Sequence, residues 1–215
     1  MNFKFTNIEK IDFLFSKKIK SLDDLNEKVF ILDQKHTDNI YLINELKDTQ
    51  IKPVADSVIT NLKGVAIGVR TADCVPGLIF DTQKLVVAAI HSGWRGTVKR
   101  IIIKTIEKMK EVYNSDLSDI VVMLGPSICG NCYGVGDDVI SEFNKILSYK
   151  FYTKKENRYY IDLKEINKNF LIEIGIKKEN IFVHTDCTYC KNNEYQSFRY
   201  HKNTLNFQIS YIKLL

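Results

Sequence analysis

The sequence predicts a layered α/β (α+β) sandwich in which a mixed β-sheet core is flanked by helices. Short runs rich in β-branched residues recur along most of the 215 residues, as is typical of strands. Three longer segments instead place apolar residues at helical spacing. Strands and helices mixed along one chain pack as layers around a common core. Because no internal repeat or low-complexity tract interrupts the pattern, we expect residues 1–215 to form a single domain.

Ten short apolar runs predict the strands. In the first half of the chain they lie at residues 28–32, 39–43, 56–60, 64–69, 76–80 and 84–90. In the second half they lie at residues 119–124, 158–162, 180–184 and 206–212. Residues 81–83, with the sequence Asp-Thr-Gln, separate two of these runs and predict a hairpin turn.

Three segments predict helices, and they lie at residues 97–113, 137–147 and 163–174. In the first segment Val98, Ile102 and Ile106 fall on one face, while lysines occupy the others. Thr97 stands at the start of this pattern. Because a threonine hydroxyl accepts hydrogen bonds from the free N–H groups of a first turn, we predict that Thr97 is the N-cap.

The composition excludes several classes of protein. The chain has 31 Lys and Arg against 26 Asp and Glu, and the net charge of +5 is not concentrated in a tail. No stretch approaches the roughly 20 apolar residues of a membrane helix, and charges interrupt the N-terminal segment too early for a signal peptide. We therefore expect a cytoplasmic protein that binds neither membrane nor nucleic acid. Its five cysteines, an odd number, favour thiols or metal ligands over disulfides.

The first segment with reactive side chains is residues 70–76, Arg-Thr-Ala-Asp-Cys-Val-Pro. Pro76 has no N–H to donate, so we expect that a regular central strand does not continue through it and that Cys74 sits at a bend. A free cysteine is often simply a small buried apolar residue. The charges of Asp73 and Arg70 argue against a purely apolar pocket, and Cys74 is therefore a candidate functional residue.

The second segment is residues 91–96, His-Ser-Gly-Trp-Arg-Gly, between a predicted strand and a predicted helix. A loop that leads into a helix directs backbone N–H groups to one spot, where an anion such as phosphate binds. Arg95 adds a guanidinium group that can clamp the anion. The simpler alternative is that the glycines only allow the turn, while Trp94 packs in the core and Arg95 is solvated. The density of polar chemistry in six residues favours the functional interpretation.

The third segment, residues 33–36, places His36 after a predicted strand. If His36, Cys74 and His91 each project from a strand end, two imidazoles and one thiolate form a donor set that suits Zn²⁺. Three protein ligands leave a fourth position open, and zinc in such a site lowers the pKa of water to about 7. The three residues are too far apart in sequence for a local ligand motif, so their convergence depends on the fold.

These segments resemble, in order, the signatures of the YfiH family. The matching residues are residues 70–76, residues 90–96, Leu124-Gly-Pro-Ser-Ile-Cys129, Cys132-Tyr133, Cys187-Thr188 and Ser197-Phe198-Arg199. This family, long labelled polyphenol oxidase or laccase-domain protein, is described as purine nucleoside phosphorylases that cleave adenosine, inosine and methylthioadenosine and also deaminate adenosine. The resemblance implies a YfiH-like fold and a zinc site formed by His36, Cys74 and His91.

The sequence and the resemblance together predict a zinc-dependent enzyme that acts on a purine nucleoside and phosphate. The candidate catalytic residues are Cys74, His91 and Asp73. Asp73 is the candidate proton shuttle for the departing ammonia. The candidate ligands of substrate and phosphate are Arg70, Arg95 and Arg199. The preferred nucleoside, the balance between phosphorolysis and deamination, and the formation of a homo-oligomer stay open.

Copper is an alternative metal at the same site, because the ligand set also suits it, although no obvious axial methionine is present. A multicopper oxidase binds its coppers largely through imidazoles, and this chain has four histidines. A trinuclear copper cluster therefore cannot be built within one chain.

Two other functions stay open at this point. In the first, Cys74 is a nucleophile and His91 is its base, as in thiol hydrolases, and no metal is needed. In the second, the pairs Cys129-x-x-Cys132 and Cys187-x-x-Cys190 belong to a zinc-containing nucleic-acid-binding module. The lysines are scattered and do not interleave with aromatic residues, which disfavours that module. Residues 133–186 separate the two pairs, a span unlike that of a zinc ribbon, so we do not expect a second metal site there.

Overall fold

The structure is a computed structural model that describes residues 7–215, and within them it has both strands and helices arranged in layers. The predicted mixed α/β class with flanking helices is confirmed. The residues of the central strands explain why the chain folds in layers. Strands at the centre are buried on both faces, and their side chains alternate between two separate apolar cores.

The central layer is a six-stranded mixed sheet. Its strands, in spatial order, are β12 (Ile181–Val183), β8 (Ile120–Leu124), β6 (Val75–Asp81), β7 (Val86–Ser92), β4 (Ser57–Thr60) and β3 (Ile40–Ile43). β6 and β7 form the predicted hairpin, with Phe80 opposite Val87. The two outer pairs, β8 with β12 and β3 with β4, are parallel.

A second, four-stranded sheet covers one face of the central sheet. Its strands, in spatial order, are β1 (Ile11–Phe15), β13 (Gln208–Leu214), β5 (Ala66–Thr71) and β2 (Val29–Ile31). Leu78 and Phe80 of β6 point towards this sheet and share a core with Ile67 and Ile212. Ile79, which lies between these two residues of β6, points to the opposite face, as the two-residue period of a strand requires.

Helices cover the other face of the central sheet. They are α1 (Trp94–Val98), α2 (Ile101–Tyr113), α3 (Asp137–Asn144) and α4 (Leu163–Glu173). The short helix α5 (Phe198–His201) precedes β13 in the chain, and its Phe198 and Tyr200 are exposed. Ile102 and Ile106 of α2 and Phe170 of α4 pack in the same core as Ile79 and Ile90. The chain also forms a small third sheet, with spatial order β10 (Tyr152–Lys155), β11 (Arg158–Ile161) and β9 (Gly134–Val135). In the sequence, β9 precedes α3, and β10 and β11 lie between α3 and α4. No helix within residues 7–215 is long and apolar enough to span a bilayer.

The predicted helix at residues 97–113 is wrong in its first turn. Gly93 caps α1, and the chain breaks at Arg100, which adopts a left-handed conformation with φ of 56°, before α2 begins. Thr97 is therefore not the N-cap of the long helix. Its hydroxyl instead donates to the carbonyl oxygen of Gly93 over 3.0 Å, a bond typical of a threonine inside a helical turn.

The expected interruption of the strand at Pro76 is wrong, because β6 runs through this residue as a central strand. The other part of the expectation is confirmed, since Cys74 lies at a bend directly before β6. The carbonyl oxygen of Pro76 accepts a hydrogen bond from the N–H of Gly125, the residue that follows β8. The nitrogen of Pro76 faces the same neighbour, one residue beyond the last pair of β6 with β8, Gly77 with Leu124. The missing donor therefore falls at the end of the ladder with β8 and not within it, where proline is tolerated.

Several elements were not predicted from the sequence, namely β1, β9, β10 and α5. β1 carries Asp12 among its apolar residues, and β10 consists mostly of exposed polar residues, so neither shows a clear strand period. β9 and α5 are only two and four residues long. Such short elements depend on tertiary contacts more than on their own sequence pattern.

Candidate active site

Three separate segments meet at one end of the central sheet. His36 lies in the loop after β2, in a left-handed conformation with φ of 59°, while Cys74 directly precedes β6. His91 lies in β7 opposite Pro76, so the hairpin brings it beside Cys74. The ligand atoms of the three residues all lie within 4.8 Å of one another, and Cys74 Sγ is 3.9 Å from His36 Nε2. The fold therefore places two imidazoles and one thiol around a common point.

Asp56, which the sequence analysis did not single out, organises this cluster. Its carboxylate is fully buried and accepts from His91 Nδ1 over 2.7 Å. The same carboxylate accepts from the backbone N–H groups of Lys35, His36 and Thr37. Asp56 therefore fixes the loop of His36 and the ring of His91 together, and it leaves Nε2 of His91 free to face the cluster.

The hydrogen bonds of Asp56 also set its charge. Burial alone raises its pKa, but hydrogen bonds from His91 and Thr37 together with the charge of His91 outweigh this and lower the pKa to about 2. The residue is a carboxylate at neutral pH. A sequence signal was present, because Asp56 is the first residue of the predicted strand at residues 56–60, and an acidic side chain requires a partner if that strand is buried.

Cys74 and His91 perturb each other strongly. Burial raises the pKa of the Cys74 thiol, but the charge of His91 and hydrogen bonds to both histidines lower it to about 6. Burial lowers the pKa of His91, but the Cys74 charge and the hydrogen bond to Asp56 raise it to about 9. At neutral pH the two groups form a thiolate and imidazolium pair, and a thiolate is also the form that binds metals.

Gly93 gives the cluster its room. A Cβ atom at this position would lie 2.9 Å from His36 Cδ2 and 3.0 Å from Cys74 Sγ, too close for either atom to stay in place. The backbone of Gly93 is extended, with φ of −74°, so conformational freedom is not the reason for a glycine here. The residue is required because any side chain would push into the side chains of His36 and Cys74.

The cluster lies on the wall of a cavity of about 670 Å³. All three candidate arginines also line this cavity. The guanidinium carbon of Arg95 lies 4.3 Å from the ring centroid of Trp94, and that of Arg70 lies 4.1 Å from the ring centroid of Phe207. Arg199 donates to the carbonyl oxygen of Gly134 over 2.8 Å. The structure therefore brings the candidate metal ligands and the three cations to one cavity that can take a small molecule.

The positive charge of this cavity comes from the arginines more than from a helix. The sequence analysis predicted an anion site at the N-terminus of a long helix, but α1 has five residues and ends before α2 begins. A helix this short has a weak dipole. Guanidinium groups, which bind phosphate in a bidentate way, are the stronger feature for anion binding here.

Asp73 lies at the same wall, but its carboxylate is engaged elsewhere. Oδ1 accepts from the hydroxyl of Thr188 over 2.6 Å, and Oδ2 accepts from the backbone N–H of Arg199 over 2.7 Å. Asp73 is 8% exposed and adopts a left-handed conformation with φ of 94°, which is strained for this residue type. Its carboxylate thus fastens the C-terminal segment to the strand end that carries Cys74.

The remaining four cysteines also converge, contrary to the sequence expectation. The sulfurs of Cys129, Cys132, Cys187 and Cys190 all lie within 4.8 Å of one another, and all four are free thiols. The long separation in sequence does not keep the two pairs apart, because they follow β8 and β12, which are parallel neighbours. Loops that leave parallel neighbouring strands emerge at the same sheet edge, however many residues separate them in sequence.

Comparisons with known proteins point to one group. The family described as multi-copper polyphenol oxidoreductase laccase matches residues 16–214. An adenosine deaminase from an unknown prokaryotic organism is 36% identical over 148 residues, which cover 67% of this chain and 56% of that relative. A purine nucleoside phosphorylase of Clostridium acetobutylicum is 37% identical over 196 residues, which cover 86% of this chain and 76% of that relative.

Two crystal structures have a closely similar fold. The hypothetical protein YfiH of Bacillus licheniformis superposes with a TM-score of 0.83 at 27% identity, covering 90% of this chain and 78% of that chain. YlmD of Geobacillus stearothermophilus superposes with a TM-score of 0.82 at 27% identity, covering 87% of this chain and 74% of that chain. The match therefore includes most of both proteins in each case.

Proposed function

The chain belongs to the family described as multi-copper polyphenol oxidoreductase laccase, and from that premise we propose that it is a zinc-dependent purine nucleoside enzyme. Its reactions are the phosphorolysis of adenosine, inosine or methylthioadenosine and the hydrolytic deamination of adenosine. The observation that carries the proposal is the convergence of His36, Cys74 and His91 within 4.8 Å on the wall of a cavity lined with arginines. The names of the relatives, a phosphorylase and a deaminase, support the substrate class.

The residues present fit a zinc ion. His36, Cys74 and His91 would hold it, and the carboxylate of Asp56 behind His91 is the outer partner that metal-binding histidines usually have. With three protein ligands, zinc supplies an open Lewis-acid position at neutral pH. Copper suits the same donors. The other two histidines do not join this cluster, because His184 accepts from the N–H of Asp186 and His201 contacts Ser197, so a multicopper centre has too few imidazoles.

The arginines would bind and orient phosphate. In phosphorolysis a phosphate oxygen attacks C1′ of the ribose while the bond to the purine loosens, and nearby cations lower the barrier by stabilising the phosphate charge. Arg70, Arg95 and Arg199 line this cavity together with Lys52, and the three arginines are the cations that can bind phosphate in a bidentate way. The rings of Trp94 and Tyr133 line the same space and offer flat apolar surfaces to a purine.

Asp73 is better suited to a positioning role than to the proton shuttle first considered. Both of its carboxylate oxygens accept hydrogen bonds from the segment that carries Thr188 and Arg199. We infer that it holds the Arg199 segment against the cavity. His91, whose pKa of about 9 keeps it protonated in the absence of a metal, is held by Asp56 and does not move freely.

The test is an assay of the purified full-length protein with adenosine, with and without phosphate. We expect adenine and ribose 1-phosphate when phosphate is present, and inosine and ammonia when it is absent. Removal of the metal with a chelator should abolish both reactions, and added Zn²⁺ should restore them. An undiminished rate in metal-free protein would contradict the zinc mechanism.

A second candidate function is a thiol hydrolase, in which Cys74 is the nucleophile and His91 the base. The observation that favours it is the pair of opposite pKa shifts, to about 6 for Cys74 and about 9 for His91, which is the pattern of an activated cysteine. Iodoacetamide distinguishes the two functions. If it abolishes a reaction that persists in fully chelated protein, the thiol mechanism is correct and the zinc mechanism is not.

A further inference from the structure

We propose that Cys129, Cys132, Cys187 and Cys190 bind a second zinc ion, which has a structural role and joins two loops of the chain. The proposal does not depend on the nucleoside chemistry, because none of these residues lines the cavity that contains His36. Within residues 7–215 only these four residues and the cluster of His36, Cys74 and His91 bring three or more candidate ligand atoms within 4.8 Å.

The distances between the sulfurs fit a tetrahedral tetrathiolate site. With zinc–sulfur bonds of about 2.3 Å, neighbouring sulfurs of a tetrahedron lie roughly 3.8 Å apart. The sulfurs of Cys132 and Cys190 are 3.4 Å apart, and no pair of the four exceeds 4.8 Å. Changes of up to about 1 Å in the distances between sulfurs bring the set to that geometry.

The backbone of each pair forms a tight turn that points both sulfurs to one side. After Cys129 the N–H groups of Cys132 and Tyr133 both donate to its carbonyl oxygen over 3.0 Å. After Cys187 the N–H of Lys191 donates to its carbonyl oxygen over 3.0 Å. Two such Cys-x-x-Cys turns facing each other are the usual framework of a structural zinc site with four thiolates.

The surroundings offset the negative charge that four thiolates carry around one zinc ion. The N–H of Cys129 donates to the sulfur of Cys187 over 3.2 Å. The ammonium group of Lys164, a residue that is only 5% exposed, donates to the carbonyl oxygens of His184 and Asp186, directly before Cys187. Asp162, Cys187 and Cys129 all act on this ammonium group through their charge. A tetrathiolate centre would therefore add to the negative charge that a buried lysine requires.

A disulfide between Cys132 and Cys190 is the main alternative use of this cluster. A disulfide bond joins two sulfurs at about 2.05 Å and uses only two of the four cysteines. The two remaining thiols would then be left together without a partner. Zinc uses all four donors at once, and the structure brings all four to one point.

The role of the ion follows from the contacts of the residues next to the cysteines in the two loops. Tyr133, beside Cys132, lines the cavity, and Thr188, beside Cys187, holds the carboxylate of Asp73. The backbones of the two loops meet at a short β-bridge between Ser127 and Cys187, where the N–H of Thr188 donates to the carbonyl oxygen of Ser127. A zinc ion at the four cysteines would fix both loops and so hold one wall of the cavity in place.

The proposal is tested by counting metal in the full-length protein after exhaustive dialysis. We expect two zinc ions per chain in the parent protein and one in the Cys190→Ser variant, which removes one of the four sulfurs at an exposed position. Asn131→Ser is the matched control, since it changes an exposed side chain of the same loop without removing a sulfur, and it should retain both ions. His36→Ala should also retain one ion, and the double variant with Cys190→Ser should retain none.

Cobalt substitution provides a second measurement that does not depend on these variants folding equally well. Four thiolates give Co²⁺ stronger sulfur-to-cobalt charge-transfer absorption than one thiolate and two imidazoles give. In the His36→Ala background we expect the tetrathiolate spectrum alone. A parent protein whose metal content is the same as that of Cys190→Ser overturns the proposal, and so does an intact mass two hydrogen atoms lower that reverts on reduction, which indicates a disulfide.

Discussion

The molecule has two clusters of metal-type side chains at the same end of its sheets, and they differ in what surrounds them. The cluster of His36, Cys74 and His91 has three donors and opens onto a cavity with arginines and aromatic rings. The cluster of the remaining four cysteines has four donors and lies between two loops. Three donors leave a position for a reacting molecule, whereas four donors saturate a tetrahedral ion. The number of donors therefore suits the first cluster to a catalytic metal site and the second to a structural one.

The largest effects should come from removing one ligand of each cluster. His36→Ala, at an exposed position, should reduce nucleoside turnover about 1,000-fold or more, since a catalytic metal supplies several kcal/mol. It should lower the unfolding temperature less than Cys190→Ser does, although any ion that binds only the folded state adds some stability. Cys190→Ser should act mainly on stability, lowering Tm by several degrees, with roughly 2–4 °C expected for each kcal/mol, and it should reduce turnover far less than His36→Ala does. Parallel assays and thermal unfolding check this, and a variant that moves both readings equally would break the distinction.

Asp56→Asn should have the next largest effect and should act on the first cluster alone. The amide keeps the shape but cannot accept all the hydrogen bonds from His91 and the loop of His36. We expect a loss of roughly 10- to 100-fold in metal affinity or turnover. Asp116→Asn is the matched control, because Asn caps a helix as well as Asp does and the residue lies outside the cavity. Equal zinc affinity in the two variants would contradict the role of Asp56.

Gly93→Ala should give a smaller, purely steric effect. The new methyl group would displace His36 and Cys74 by a few tenths of an ångström, and we expect turnover to fall about tenfold. Gly77→Ala is the control, since a methyl group there meets its nearest neighbour, Ile90, at an ordinary 3.6 Å. Turnover and zinc content of the two variants should differ. If they coincide, the close approach at Gly93 does not limit the site.

Arg95→Lys should give the smallest effect and should sharpen the assignment of the cavity to phosphate. Lysine keeps the charge but loses the bidentate geometry, so the KM for phosphate should rise roughly three- to tenfold. Deamination, which needs no phosphate, should change little. Arg158→Lys, on an exposed strand outside the cavity, is the control. A matching change in both reactions would indicate that Arg95 acts on the nucleoside or on the fold.

Much of the fold and of the first cluster could be predicted from the sequence. The resemblance to the YfiH family is confirmed by the match over residues 16–214 and by the two similar crystal structures. The four inner strands of the central sheet were predicted because they are buried on both faces and therefore consist mainly of apolar residues. The motifs around His36, Cys74 and His91 stood out because each places reactive side chains directly next to a predicted strand. Turns without a function rarely contain so many reactive side chains.

What the sequence could not predict depends on neighbours in space. The meeting of Cys129 and Cys132 with the second pair follows from the parallel pairing of β8 and β12, which no local spacing reveals. The role of Asp56 depends on three N–H groups of a loop twenty residues earlier. The break at Arg100 is likewise set by tertiary packing, since nothing in its side chain requires a left-handed backbone.

The alternation of side chains along β7 carries a consequence for insertions and deletions. Val87 and Ala89 face the four-stranded sheet, whereas Ala88 and Ile90 face the helices. The alternation continues in the next two residues, so that His91 faces the first side and Ser92 faces the helices. Gain or loss of one residue within β7 would exchange the imidazole and the hydroxyl between the two faces. Length variation among descendants of this chain should therefore accumulate in loops remote from this strand, while β7 itself stays constant in length.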